Sequence, residues 1–185
     1  MKVAWKLFAG AVVAAVALVL VLPNFLPRSV FYRDRKPTKA GMLFVRGFAA
    51  WSAFGLPPSW SVTLEVAGRH SGKTYSIPLV AADYEGQRYL VSMMGNDVAW
   101  VRNVRQGGGK ATIRYHGRRP VVLQDVPVEL RAPILKAYLR RAFGARPHMK
   151  VAHDAPLEAF EQVAGLYPVF RVTEPASIPG SPRSA

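Results

Sequence analysis

Residues 60–84 read W-S-V-T-L-E-V-A-G-R-H-S-G-K-T-Y-S-I-P-L-V-A-A-D-Y, two strand-like runs separated by a short polar segment with a glycine at each end. That pattern is a β-hairpin: residues 60–66 and 74–84 form the strands, and the chain turns at residues 68–72, where Gly68 and Gly72 free the backbone. A third strand-like run at residues 88–94 follows a turn at Glu85 and Gly86, so a second hairpin succeeds the first. Strands that come consecutively argue for an antiparallel sheet and against parallel βαβ winding.

Toward the C-terminus, Asp97 is placed to cap a short helix that runs through Trp100 and Asn103 to about Gln106 and is ended by Gly107, Gly108 and Gly109. Strands at residues 110–116 and 120–126 flank a turn at Gly117. Residues 128–143 place Leu130, Ile134, Leu135, Tyr138, Leu139 and Phe143 along one face of a helix whose other face is basic, with Gly144 as its stop. A shorter helix at 156–164 and a last strand at 169–173 complete the domain, and residues 175–185 read as a disordered tail. The expected fold class is therefore α+β: about six mostly antiparallel strands, as a sheet or small barrel, with helices inserted between and after them.

Toward the N-terminus, residues 7–22 carry no charged or strongly polar side chain. Val3, Ala4 and Trp5 extend the stretch to the roughly 20 residues that cross a bilayer as a helix. Lys6 lies close enough to the end to snorkel. A cleaved signal peptide also starts basic and continues apolar, but it normally stops sooner and ends in a small-x-small site. Here Pro23, Asn24, Phe25 and Leu26 follow instead, which favours a retained single-pass transmembrane anchor over residues 1–26. Lys2 and Lys6 precede the helix whereas Arg28, Arg33, Arg35, Lys36 and Lys39 follow it, so the C-terminal domain is expected on the cytoplasmic side of the cell membrane. Residues 27–40 form a basic linker broken by Pro27 and Pro37, and the globular domain occupies residues 41–174. It opens with an amphipathic helix over residues 42–54, which either packs on the domain or lies in the head-group layer.

With 185 residues there is room for one domain and an appendage. The net charge of +14 suits an anionic bilayer surface or anionic small molecules, and because the charge is dispersed and no nucleic-acid module leaves its signature, nucleic acid is not expected as a partner. The absence of cysteine excludes disulfides and thiolate metal sites. His70, His116, His148 and His153 lack metal-ligand spacing, and neither H-E-x-x-H nor G-x-S-x-G occurs, so no metal site is expected. The triple glycine before Lys110 is no P-loop, since Ala111 stands where Ser or Thr is required and Val104 where the first glycine belongs.

Two segments carry chemistry. Gly68, Arg69, His70, Ser71, Gly72 and Lys73 place donors in a hairpin turn, which reads either as a solvated turn or as an anion cradle. Residues 92–103, S-M-M-G-N-D-V-A-W-V-R-N, bring a strand end, a glycine and a helix start together, suited to a phosphate or a ring carbonyl. Trp100 alone is a core residue by default, but Asn103, on the same helical face, is harder to explain as core, since a buried amide needs partners.

In this order and separation, T-x-G-R-x-S-G-like and W-x-x-N segments with a proline between them, here Pro78, resemble the deazaflavin-dependent nitroreductase family, also described as quinone reductases using coenzyme F420. W-V-R-N followed by a glycine-rich stretch is similar to one branch of it. The resemblance spans about residues 60–128 and implies a split β-barrel of FMN-binding type, often dimeric. By position it implies that Arg69, His70, Ser71, Gly72 and Lys73 hold the phosphate and tail of the cofactor. Met93, Met94, Gly95 and Asn96 would pass under the ring, and Trp100 and Asn103 would frame it. F420 is the implied cofactor, with FMN as the alternative. The cofactor carries the hydride, so no acid–base dyad is needed; Tyr75 or Ser92 would donate a proton to a lipophilic acceptor such as a quinone or nitro compound. Better-known members have a basic residue where Tyr75 stands and another about where Met94 stands. This motivates a second reading, a non-enzymatic membrane-surface carrier or binding module for lipid, haem or another flavin.

Overall fold

The structure is a computed structural model that describes residues 32–33, 36–37 and 59–175. The anchor, the amphipathic helix at 42–54 and residues 176–185 lie outside the described residues, among which no helix is long and apolar enough to cross a membrane. The chain divides into two compact units, Met1–Phe48 and Ala49–Ala185. In the first, within the basic linker, β1 (Tyr32–Arg33) pairs antiparallel with β2 (Lys36–Pro37).

The second unit is built on a closed six-stranded barrel. Its strands are β3 (Ser61–Ala67), β4 (Thr74–Tyr84), β5 (Gln87–Val91), β6 (Lys110–Arg114), β7 (Arg118–Asp125) and β8 (Val169–Thr173), in the order β3-β4-β5-β8-β7-β6, with β6 returning to β3. Every pairing is antiparallel, as expected from strands that follow one another along the chain. Helix α1 (Ala99–Gln106) connects β5 to β6, and α2 (Arg131–Arg141) and α3 (Leu157–Val163) connect β7 to β8.

Alternation divides the apolar residues into two cores. Val62, Leu64, Val66, Ala81, Leu90, Ile113, Val121, Leu123 and Phe170 fill the barrel, and Trp100, Val101 and Val104 of α1 join them. The helix thus plugs one end. On the outer face, Ala82, Val91 and Val169 pack with Ile134, Leu135, Tyr138 and Leu139 of α2 and Phe160 of α3. Arg131 fastens this layer: its buried guanidinium donates to the carbonyls of Val126 (2.8 Å), Ala164 (3.4 Å) and Tyr167 (3.4 Å). Burial pulls its pKa down, although Asp125 opposes the shift.

Local details depart from the expectations drawn from sequence. The third strand stops at Val91 rather than Met94, because the chain turns there: the Gly95 N–H returns to the Ser92 carbonyl (3.2 Å) and Gly95 takes φ 86°. Asp97 caps nothing: the N-cap of α1 is Val98, with no side-chain cap bond. The helix expected from residue 128 opens as a 3-10 turn (Val128–Leu130) and becomes α-helical only from Arg131, which leaves Leu130 60% exposed. Phe143, expected on its buried face, is 56% exposed in a second 3-10 segment, Phe143–His148. The strand at 110–116 ends at Arg114, where His116 reverses the chain at φ 48°, and its partner begins at Arg118. Strand β3 is buried on both faces: Ser61, Thr63 and Glu65 are as enclosed as the valines and leucine between them. Glu65 meets the guanidinium groups of Arg114 (3.2 Å) and Arg118, which compensate a carboxylate at 6% exposure.

Candidate functional site

The hairpin turn closes on itself. The Gly68 N–H donates to the Lys73 carbonyl (2.8 Å), the Gly72 N–H to the Gly68 carbonyl (2.8 Å), and the Lys73 N–H to Ser71 Oγ (3.3 Å). Gly72 sits at φ 65°, a conformation that costs a side-chain-bearing residue energy. The ring of Tyr75 lies over Gly68 where a Cβ would stand, so glycine there is a matter of space.

The Arg69 N–H leaves the turn and donates to Asn103 Oδ1 (3.3 Å), and Arg69 Nη1 donates to the same oxygen (3.1 Å). Asn103 is 7% exposed, and these bonds answer the demand of a buried amide oxygen. The two segments singled out in the sequence are thereby one structural unit. The N–H groups of Gly68, Arg69, Gly72 and Lys73 thus all have protein acceptors. The side chains of Lys73, His70 and Ser71 are exposed on the turn, with the rest of the Arg69 guanidinium beside them.

Residues 92–96 form the adjoining wall. Ser92, 2% exposed, donates its hydroxyl to the Gly95 carbonyl (2.7 Å), and the Gly95 N–H returns to the Ser92 carbonyl (3.2 Å). That hydroxyl, expected as a proton donor to the acceptor, is directed at the turn. Met93 packs on the outer core, whereas Met94 is 40% exposed. Asn96 donates to the Gly165 carbonyl (3.3 Å) and accepts from Arg105 Nη1 (3.2 Å). Arg105 also grips Asp125 through Nε (2.7 Å) and Nη2 (3.3 Å), which raises its pKa against a smaller effect of burial, and lies over the Phe170 ring at 5.8 Å. Trp100 packs against Phe170 from inside the barrel, ring centroids 5.5 Å apart.

Tyr75, on β4 opposite Val66, is 50% exposed and forms the rim of the site. Pro78 lies opposite Thr63 where, among the described residues, β3 is the only neighbour of β4, since β5 joins β4 only from Ala81 onward. A proline is tolerated at such an open edge. Sequence reasoning missed Arg105, Asp125 and Phe170; the arginine on the last turn of a short helix, beside the glycine run, was the available signal.

No family model matches the sequence, and no curated protein is similar to it. Among solved structures, the chain is similar to an F420-H2-dependent reductase at 19% identity, covering 61% of this chain and 93% of that one, TM-score 0.43. It is also similar to a NimC/NimA family protein from Clostridium acetobutylicum at 14% identity, covering 78% and 85%, TM-score 0.42. A third similar structure is HutZ, a haem storage protein from Vibrio cholerae, at 10% identity, covering 72% and 89%, TM-score 0.43.

Proposed function

We propose that the chain is a deazaflavin-dependent oxidoreductase that delivers hydride from reduced F420 to a lipophilic acceptor such as a quinone or nitro compound. The observation that carries this reading is the Arg69–Asn103 pair, which makes a single unit of the two segments that resemble that family. The residues present fit an anionic cofactor: basic side chains crowd an open turn, and space beside Gly72 is free on its Cβ side. Lys73, His70 and the outer part of Arg69 would hold the phosphate and tail, with residues 93–96 beside the ring. When bound, the deazaflavin supplies the hydride chemistry.

The work of this chain's own residues is positional. Asn103 fixes Arg69, Ser92 fixes the Gly95 turn, and Trp100 anchors α1 in the barrel, so the wall facing the ring is rigid. Tyr75, whose phenol stands at the rim, remains as a proton donor to the acceptor. The anchor over residues 3–22 belongs to the proposal: it would keep a cytoplasmic domain at the bilayer, where lipophilic acceptors dissolve. Exposed Val128, Leu130 and Leu166 supply a face for self-association as a homodimer.

Titration of the full chain with F420 tests this. Saturable binding at micromolar or better affinity, weakened about tenfold or more by Arg69→Ala with Lys73→Ala, is expected; no binding would sink the proposal. A second reading, a non-catalytic binder of haem, lipid or a flavin such as FMN, is favoured by one feature: apolar Met94 and Tyr75 are exposed where family members carry basic residues. The absorbance spectrum of the protein from its native host separates the two.

A further inference from the structure

At the end of the barrel opposite α1, a cavity of about 390 Å³ opens between β5, β6, β7 and β8. Ile113, Val121 and Val172 form its apolar throat, and Arg88, Tyr115, Arg119 and Glu174 line its mouth. The placement follows from strand alternation. The positions that put Leu90, Ile113, Val121 and Phe170 inside continue along the same strands to Arg88, Tyr115, Arg119 and Glu174, and bring these to the opening.

The charges at the mouth are not equivalent. Arg88 is paired with Asp83 at 2.9 Å, a carboxylate it shares with Arg141 at 2.6 Å. Arg119 has no ion-pair partner among the described residues, and its planar fork suits a carboxylate. Glu174 at the same mouth repels a second negative charge. We infer that this cavity is a binding site for a monocarboxylate with a compact apolar body, the body in the throat and the carboxylate on Arg119. The size lies within the range of small-ligand pockets. The site is distinct from the proposed cofactor site, which sits at the α1 end, so its test stands or falls separately from that reading.

The test is calorimetric titration of the full chain in zwitterionic nanodiscs, with empty nanodiscs as the blank, using 2-naphthoate and the uncharged 2-naphthalenemethanol. Saturable one-to-one binding of 2-naphthoate is expected at about 10–100 μM, with the alcohol about tenfold weaker. Arg119→Gln should weaken 2-naphthoate about tenfold without affecting the alcohol, Glu174→Gln should tighten it, and Val121→Phe, which fills the throat, should abolish both. If Val121→Phe does not fold, the two rim variants decide alone. Absence of saturable binding, equal affinity for acid and alcohol, or an unchanged affinity in Arg119→Gln overturns the assignment.

Discussion

Asn103 Oδ1 accepts two hydrogen bonds from one residue, the N–H and the Nη1 of Arg69, across 34 positions of sequence. A helix that plugs the barrel is thereby locked to a turn outside it. Asn103→Leu leaves the Arg69 donors without that acceptor and should cost about 1–3 kcal/mol of stability by chemical denaturation. Asn103→Asp keeps an acceptor and adds charge, and should recover most of the loss. Equal stability of the leucine variant and the parent would show that the bond is incidental.

Glycines of positive φ differ in what surrounds them. At Gly109 (φ 79°) a Cβ would collide with the Leu123 carbonyl, whereas at Gly72 (φ 65°) it would meet open space. Gly72→Ala should cost about 1 kcal/mol, the conformational penalty alone. Gly109→Ala should cost at least about 2 kcal/mol more, because β7 must shift. Melting temperatures of the two variants check the ranking.

Burial pushes the Asp83 carboxyl up, but hydrogen bonds and charge from Arg88 and Arg141 together outweigh it and hold the pKa below its ordinary value. Such a group contributes stability that is fully present above its unfolded pKa, about 4, and is lost as pH falls through the lower folded value. Urea midpoints measured from about pH 5 to pH 2 should therefore fall less steeply in Asp83→Asn than in the parent.

Arg131→Met removes a buried cation and strands the carbonyls of Val126, Ala164 and Tyr167, which should destabilise the unit by about 2–4 kcal/mol. Hydrogen exchange should show the loss concentrated in α2, α3 and β8 rather than in β3, with which Arg131 shares no hydrogen bond.

The strands and their turns were legible because local chemistry decides them: glycine at 68, 72, 86 and 117 marks every hairpin reversal in the barrel that joins consecutive strands. Barrel closure was expected only as one of two options from the strand pattern and through the family resemblance, since the β6–β3 pairing leaves no trace in either strand alone. The burial of Ser61, Thr63 and Glu65 was hidden, because alternation predicts that polar positions face water. At the site, the sequence singled out Asn103 as an amide in need of partners but could not say that Arg69 supplies them. It also offered Ser92 as a proton donor, and only the distance to the Gly95 carbonyl shows the hydroxyl occupied. Asp97 failed as a cap because the helix begins after Val98, beyond its reach.

Strand β8 sits between β5 and β7 although it is the last of the six in the chain. During synthesis, β3 to β7 can pair with their sequence neighbours early, yet the cylinder stays open, with the edges of β5 and β7 bare, until β8 emerges and inserts. Folding is therefore gated by its slowest, most distant pairing. The interval before insertion is when the nascent chain is most exposed to strand exchange with another copy.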